Sequence, residues 1–448
     1  RHNRTDIERV RDNAQLTLQF RPTDNLEATL DYTYASQETD TKRNEFSLWF
    51  GGNTFPVSAV QWDVENSVAT PLYYLAENEP NGFAPRDINF GAQGGSVENT
   101  LESLGLNIEW EVNDRLSAKL DVHNTTSESL PGGNGPGNWW NVGIGSQGAG
   151  VQGIDFSGKL PILVGALAEN SNGPGNVAGQ IDVGDLSSTV RQIAYARTTN
   201  DISQVRLDLE YQLTDDLGVD FGIESKDMEY TNKRSFDQTV LVGNWGAANP
   251  GDIPADMVDE LNFRDLFDGY SSTASQGALD FFNSSYDGEL GPLQTFGGVS
   301  YFVEDSNALG ELLSNNANLA WEPNPVDSTN RLIEENITAA YVQFSYAGEF
   351  GDISYDILAG VRYEETEVTS TAQVAPTVVV WQGDNDFLAQ GGNASLAELI
   401  VKEADYNHTL PSISASFQLT DDLVARASWS KTIARADYSV LQHGVSGI

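Results

Sequence analysis

The sequence predicts an all-β fold, an antiparallel transmembrane β-barrel, on three observations. Apolar and polar residues alternate along five paired segments, a short polar turn joins each pair, and long connections separate the pairs. Alternation with a period of two indicates a sheet with one apolar face and one wet face. Short turns on one side and long loops on the other are typical of outer-membrane barrels, whose long loops are extracellular.

Five hairpins are predicted, at about residues 14–34, 104–122, 205–223, 340–363 and 413–429. In the first hairpin Leu16, Leu18 and Phe20 share one face, and polar residues separate them. In the third, Asp208 and Glu210 alternate with apolar residues, so ionised side chains stand in mid-strand. The connections between hairpins, predicted as extracellular loops that contain short helices, are about 35–100, 124–201, 230–336 and 364–409.

The turns repeat one pattern, an aromatic residue four positions before an Asp and a Leu two positions after it. The sets are Phe20–Asp24–Leu26, Trp110–Asp114–Leu116, Tyr211–Asp215–Leu217 and Phe417–Asp421–Leu423. Asp favours turns because its side chain bonds the nearby main chain. A ring of aromatics at one level is what a membrane–water interface selects. A soluble antiparallel sandwich also alternates, but the aromatic ring and the one-sided loops favour the barrel.

Composition excludes several classes of protein. Asp and Glu number 65 against 24 Lys and Arg, which gives a formal charge of -41 and a pI near 4.1. Phosphate neutralisation needs a basic face, so nucleic acid is excluded as a partner. Without cysteines there is no disulfide framework and no thiolate metal site. No run of about 18 apolar residues predicts a transmembrane helix, and any export signal is expected upstream of Arg1.

Four phrases carry a family resemblance, namely Leu18–Ser36, Glu102–Asn124, Thr338–Val368 and, as the most characteristic, His408–Leu441. They resemble the barrel of TonB-dependent receptors, in particular the Caulobacter-type branch. The resemblance implies part of a 22-stranded barrel in the outer membrane of a Gram-negative bacterium. It also implies a plug domain and a TonB box outside this sequence, and energy supplied by the TonB–ExbB–ExbD complex.

The sequence offers little support for catalysis, and we expect that this protein is not an enzyme. The histidines, His2, His123, His408 and His443, lack zinc-type spacing, and there is no G-x-S-x-G elbow. Any two of the many carboxylates could be read as a glycosidase pair. An outer-membrane hydrolase would need a convergent His–carboxylate or Ser–His site on the loops.

Tryptophans in the connections are the candidate ligand-binding residues. They are Trp139 and Trp140 in a glycine-rich segment, with Trp49, Trp62, Trp245, Trp321 and Trp381. Flat aromatic faces beside amides and carboxylates suit a hydroxyl-rich solute such as an oligosaccharide. The alternative is that these rings pack the loops together, against Phe263, Phe267, Phe281 and Phe282.

Smaller features of the loops complete the predictions. Apolar spacing predicts short helices at Met257–Tyr270, Asn307–Asn316 and Ser395–Lys402. Asp384 and Asp386 are the candidate ligands of a loop calcium ion, the one cofactor considered. The strong negative charge disfavours anionic ligands, although a local pocket can differ from the total. It also suits divalent-cation bridging to lipopolysaccharide, or a saline habitat.

Energised uptake of a scarce nutrient is the main functional hypothesis, with an oligosaccharide as the leading substrate. The alternatives are a ferric-siderophore or other metal-chelate receptor, and a passive surface barrel with an adhesion or structural role. The implied partners are the TonB–ExbB–ExbD complex, outer-membrane lipid and lipopolysaccharide, the small-molecule nutrient and a surface lipoprotein that would cover the barrel.

Overall fold

The computed structural model describes residues 2–48, 59–77, 86–167, 183–241, 252–262, 267, 270, 273–285, 294–295, 299–351, 353–374, 378–382, 386–390 and 397–435. In chain order the strands are β1 (His2–Thr23), β2 (Leu26–Leu48), β3 (Ala59–Glu65), β4 (Val68–Glu77), β5 (Arg86–Asn113), β6 (Leu116–Pro131), β7 (Trp139–Asp155), β8 (Ile162–Leu167), β9 (Ser187–Gln212), β10 (Leu217–Val240), β11 (Asp259–Asn262), β12 (Gln294–Thr295), β13 (Val299–Phe302), β14 (Thr329–Phe350), β15 (Ile353–Val374), β16 (Val378–Gln382), β17 (Asp386–Gln390), β18 (Glu398–Thr420) and β19 (Leu423–Ser430). The helices are α1 (Gln276–Ser285) and α2 (Ser306–Asn316), with 3₁₀ turns at Val183–Asp185 and Ala255–Met257.

The wall is a meander of five long antiparallel hairpins, β1–β2, β5–β6, β9–β10, β14–β15 and β18–β19. Neighbouring hairpins also pair with one another, and all belong to one 15-stranded sheet. This continuous antiparallel sheet of amphipathic strands confirms the predicted fold class. The strand number of 22 stays a prediction.

The wall strands run far beyond the segments that marked them in the sequence. Strand β2 has 23 residues and β5 has 28, whereas a tilted strand crosses the membrane in about 9–11 residues. The strands therefore continue into 35–100, 124–201, 230–336 and 364–409, which the sequence assigned to loops. Both faces of these extensions are largely polar, so the apolar–polar alternation that identifies an amphipathic strand is missing there.

The aromatic residues before the turns take up matching positions. Trp110 lies opposite Leu26, the leucine that follows the turn of the preceding hairpin. Tyr211 lies opposite Leu116 in the same way, and Tyr346 lies opposite Leu217. Each aromatic–leucine pair thus joins two hairpins at one level of the apolar face, where an interfacial ring is expected.

The repeated Q-L-T-D-D turns share their hydrogen bonds. The Gln212 amide donates to the Thr214 carbonyl at 2.7 Å, and the Gln418 amide donates to the Thr420 carbonyl, also at 2.7 Å. The Thr214 hydroxyl accepts a hydrogen bond from the main chain of Leu217 at 3.1 Å. Because side chains satisfy the main-chain groups of the turn, short local sequence is sufficient to close it.

The polar face of the wall is the concave one. The Tyr341 hydroxyl on β14 reaches Asp208 on β9, 2.6 Å away, across the intervening strand β10. Gly222 makes room, because a Cβ there would lie 2.6 Å from the Tyr341 ring. Likewise Arg362 on β15 reaches Glu224 on β10, across β14, at 3.3 Å. Side chains converge over a neighbouring strand on the concave side of a sheet, so the apolar face is convex and faces lipid.

A cap of folded connections packs on the far end of the wall and has its own core. We call the described residues between 252 and 321, with the strand tips that they contact, the cap. Its buried side chains include Phe46, Phe90, Val142, Ile144 and Leu309. Strand β7 continues the position of β6, because it pairs with β5 and β9 as β6 does lower down. A second small core packs α1 on β4 and β8.

The cap packs on the convex side of the wall tip. The register between β2 and β5 is unbroken from Leu26 to Leu48, so Asn44 and Phe46 share a face with the lipid-facing Leu26. The Asn44 amide donates to the Val303 carbonyl at 3.1 Å and accepts from the Val303 main-chain nitrogen at 2.9 Å. Phe46 is 1% exposed in the cap core.

One of the three predicted loop helices is confirmed. Residues Ser306–Asn316 form α2, which Asp305 caps by accepting from two main-chain nitrogens. The helix predicted at Met257–Tyr270 is wrong, since Asp259–Asn262 forms β11 and pairs with β13. The helix predicted at Ser395–Lys402 is also wrong, because β18 begins at Glu398 and pairs with β15. A short run of apolar residues fits either a helix or a strand, and here pairing with a neighbouring strand makes the segment a strand.

Helix α1 was not predicted. Its buried residues Ala278 and Phe282 stand four positions apart, a weak helical signal. Among the described residues, no helix is both long enough and apolar enough to cross a membrane.

Candidate functional site

The concave face between the lipid-facing band and the cap is the candidate site. We call this region the upper wall; it comprises residues 6–12, 36–42, 96–102, 126–131, 196–203, 225–233, 331–338, 363–369 and 402–409. These strands stay in register with the apolar band below. Alternation therefore fixes which side chains point to the concave side.

A continuous row of polar side chains crosses the upper wall. Each member lies opposite the next on the neighbouring strand, and we call the set the polar row: Arg11, Gln37, Asn99, Ser129, Thr198, Asn232 and Arg331. Amides and hydroxyls in such a row both donate and accept hydrogen bonds. The row ends in an arginine on β1 and an arginine on β14.

Part of the polar row is already hydrogen bonded and part is available. The Arg11 Nε atom donates to the Gln37 Oε1 atom at 2.7 Å, and the Asn232 amide donates to the Thr198 hydroxyl at 2.8 Å. Within the described part of the chain, Asn99 and Ser129 make no side-chain hydrogen bond. A groove of about 570 Å³, lined by most of the row, lies over them. This volume is in the range of small-molecule sites, roughly 300–1,000 Å³.

Charge on the upper wall is segregated by face. Acidic residues dominate the convex face, which carries Asp6, Glu8, Asp12, Glu38, Asp40, Glu98, Glu102, Glu128, Asp201, Asp227, Glu229, Glu334, Glu365, Glu367, Glu403 and Asp405, against Lys42, Arg197 and Lys233. The concave face of the same region carries Arg9, Arg11, Lys226, Arg331 and Lys402, against Glu335 and Glu364. The concave face of the upper wall is therefore basic, although the net charge of the chain is strongly negative.

The sequence reasoning missed this site, although the signal is present. In residues 6–13 the order D-I-E-R-V-R-D-N alternates acidic and basic positions. Among the described residues, Arg9, Arg11 and Lys226 make no ion pair with a carboxylate. The total charge is therefore a poor guide to ligand charge, as fields are local.

The two carboxylates on the concave upper wall are neutralised by arginines. Arg435 forms ion pairs with Glu364 and, at 3.9 Å, with Glu335. Arg362 contacts Glu364 at 3.0 Å and Glu224 at 3.3 Å. Both upper carboxylates are buried, and a buried carboxylate needs such partners. This cluster is therefore structural, and it leaves the basic residues near β1 and β10 uncompensated.

Below the upper wall the concave face changes sign. Lys119 pairs with Glu109 at 2.7 Å and Arg206 pairs with Asp208 at 2.8 Å. Further carboxylates on this face are Asp31, Glu111, Glu210 and Asp220. The lower concave wall is thus richer in acid, and it would repel an anion that the upper wall attracts.

The predicted tryptophans lie in different surroundings. Trp140 is 5% exposed and donates to the Ser306 hydroxyl at 3.0 Å. Trp321 packs on the cap core and donates to Asn307 at 2.7 Å. Trp139 is half-buried and donates to Gln93 at 3.4 Å. Trp140 and Trp321 contribute to the packing of the cap and strand tips, whereas Trp139 lies opposite Ala194 on the concave face.

Trp62 is 55% exposed on the β3–β4 hairpin. Trp49 and Trp245 lie outside the described residues, and only the main chain of Trp381, in β16, is described.

Metal binding remains a prediction. Asp384 lies outside the described residues, and Asp386 is described only as the start of β17. In the part of the chain that the structure describes, no group of three or more His, Cys, Asp or Glu side chains could hold a metal ion. His123 lies on the concave face of β6, and its Nδ1 atom is 3.4 Å from Asp121.

Two cap carboxylates secure main-chain segments. Asp155 accepts from the main-chain nitrogens of Ser157 at 2.9 Å and of Ser275 at 2.7 Å. Burial alone would raise the pKa of Asp155, but these hydrogen bonds outweigh burial and hold it below the ordinary value of 3.8. Asp252 accepts from Ser188, yet burial raises its pKa. These contacts are structural, since both carboxylates are committed to neighbouring serines.

Comparisons with known proteins bear on the family. No curated protein matches the chain. Among solved structures, the chain is similar to the ferric-catecholate import receptor Fiu of E. coli K12 in its open form, with 10% sequence identity and a TM-score of 0.31. That match covers 96% of this chain and 53% of the receptor, so the chain spans about half its length.

The profile of the TonB-dependent receptor-like β-barrel matches residues 164–443, more than half of the chain. The matched range includes three of the five wall hairpins and the 252–321 segment of the cap. Taken with the amphipathic antiparallel wall, this match shows that the chain belongs to the TonB-dependent receptor β-barrel family of the bacterial outer membrane.

Proposed function

We propose that this chain forms part of the wall of a receptor that takes up a scarce, hydroxyl-rich nutrient, an oligosaccharide, across the outer membrane. Members of the family are transporters rather than enzymes. In this proposal the TonB–ExbB–ExbD complex supplies the energy, and the concave upper wall captures the solute. The observation that carries the substrate class is the polar row.

Support comes from the chemistry of the row. Gln37, Asn99, Ser129, Thr198 and Asn232 present amides and hydroxyls side by side, next to a groove of about 570 Å³. Each group can donate to one sugar hydroxyl and accept from another. Because neighbouring strands lie about 4.8 Å apart, the row repeats at a spacing close to the length of one pyranose unit.

A strain that lacks the gene for the full-length receptor tests the proposal. We expect it to lose growth on a limiting oligosaccharide and to regain growth when the receptor is restored. We expect a strain without TonB to fail in the same way. Uptake that persists without TonB would instead support a passive barrel.

Ferric chelates are the second candidate, favoured by Arg9, Arg11 and Lys226 on the concave face, which make no ion pair among the described residues. Calorimetry of the purified full-length receptor with oligosaccharide and ferric-siderophore panels distinguishes the two. Tight siderophore binding with no response to any sugar would contradict the carbohydrate proposal.

A further inference from the structure

We propose that the upper wall selects acidic oligosaccharides, those with uronic acid units, and that Arg11 of the polar row binds their carboxylate. The inference rests on the proposed function and narrows its substrate class. Two observations on the same concave face support it. One is the row of amides and hydroxyls, which suits any sugar; the other is the set Arg9, Arg11 and Lys226, which make no ion pair within the described residues and which a neutral sugar would not need.

Arg11 is placed to receive a carboxylate. Its Nε atom is engaged by Gln37 at 2.7 Å, which orients the guanidinium and leaves its terminal nitrogens for a ligand. Within the described residues no carboxylate pairs with Arg11 or with Arg9. The two arginines lie two positions apart on one strand, thus roughly 7 Å apart along it. Guanidinium groups bind carboxylates through paired, charge-assisted hydrogen bonds.

The rest of the polar row is placed to receive the sugar hydroxyls. Asn99 and Ser129, two and three strands from Arg11, make no side-chain hydrogen bond within the described part of the chain. Asn200, next to the row on β9, also lines the groove. A ligand that brings both hydroxyls and a carboxylate satisfies all of these groups together.

Electrostatics of the two faces directs an anionic chain to the concave side. The acidic convex face repels it, whereas Arg9, Arg11 and Lys226 attract it from inside. The acid-rich lower wall, with Asp31, Glu210 and Asp220, opposes deeper entry. The upper wall is therefore the level at which an acidic oligosaccharide is held before transport.

A hexamer of galacturonic acid and its methyl ester provide a matched pair of probes, since they share the sugar and differ in charge. Binding of each to the purified full-length receptor is measured by calorimetry. We compare the unaltered protein with Arg11→Gln and with Lys42→Gln. Lys42 lies on the convex face of the same region, so this variant removes one positive charge without touching the concave face.

We expect the acid to bind on the order of tenfold or more tightly than the ester, because only the acid offers Arg11 a charged carboxylate as hydrogen-bond acceptor. Arg11→Gln should remove most of that difference and leave the ester affinity nearly unchanged. Lys42→Gln should leave both affinities unchanged.

Equal affinities for acid and ester would overturn this inference and leave the oligosaccharide proposal standing. An equal loss of acid binding in Lys42→Gln would also overturn it, since the effect would then be one of net charge. Binding of ferric chelates with no binding of either probe would overturn both proposals.

Discussion

Replacing Trp140 with alanine tests whether this ring holds the cap to the wall. The indole is 5% exposed and donates to the Ser306 hydroxyl, the first residue of α2, at 3.0 Å. It fills the space left by two glycines, since a Cβ at Gly94 would lie 2.1 Å from the ring and a Cβ at Gly135 would lie 2.3 Å from it. The variant therefore leaves a cavity between cap and wall.

The magnitude follows from burial. Removal of a buried tryptophan side chain costs about 3–5 kcal/mol, and the lost hydrogen bond adds about 1 kcal/mol. The cost falls on the docking of the cap, because the contacts of Trp140 lie in the cap and the strand tips. The wall hairpins below should keep their stability.

Hydrogen exchange on the full-length receptor measures the effect. We expect Trp140→Ala to speed the exchange of amides in α2 by two orders of magnitude or more, on the basis of about 1.4 kcal/mol per factor of ten. Amides in β14 below the cap should exchange as before. Trp62→Ala is the control, since the same residue type is 55% exposed there.

Unchanged protection of α2 in Trp140→Ala would refute the packing role. If ligand binding were lost at the same time, Trp140 would be a binding residue, as the sequence alone suggested.

Three further variants test separate contacts. Gly222→Ala should destabilise the wall by about 1–3 kcal/mol, because its Cβ would lie 2.6 Å from the ring of Tyr341. Thermal unfolding measures this loss of stability. Gly105→Ala is the control and should have a smaller effect, since the nearest atom to its Cβ would be 4.0 Å away. Asn44→Ala should weaken the docking of the cap on the wall by about 2 kcal/mol, since it removes two hydrogen bonds to the cap main chain. Unaltered hydrogen exchange of the α2 amides in this variant would contradict that role of Asn44. The lowered pKa of Asp155 means that its carboxylate stabilises the cap fully above pH 3.8, and that this contribution is lost as the pH falls through the lowered pKa. Asp155→Asn should therefore weaken the cap at pH 7 by about 1–3 kcal/mol, and this effect should shrink as the pH falls below 3.8 and through the lowered pKa, as followed by limited proteolysis. An effect that does not shrink with falling pH would contradict the assignment.

Several features could be predicted from local sequence because they depend on near neighbours along the chain. The alternation of Leu16, Leu18 and Phe20 specifies one apolar face. The turn residues close each hairpin through their own hydrogen bonds, as at Gln212 and Gln418. Helix α2 carries its own cap at Asp305. The hairpins and this helix are consequences of short-range physics.

The tryptophans show what local sequence cannot supply. Trp140 and Trp62 both stand in polar, glycine- or turn-rich surroundings in the sequence. Trp140 is buried because Ser306, 166 positions away, folds back against it. Trp62 is exposed on a hairpin. Burial is decided by contacts between distant segments, and the residue type alone indicates either role.

The sequence alone determined the barrel class, through alternation, the turn residues, the ring of aromatics and the one-sided long loops, and in the amphipathic segments it determined the face to which each residue points. Only the tertiary structure decided which residues share a level, because the pairing between hairpins brings Arg11, Asn99 and Asn232 into one row. It also decided that the cap packs on the convex side and that a chain of net charge -41 is basic on the concave face of its upper wall. Register between strands is a long-range property, and it is what converts a sequence pattern into a binding surface.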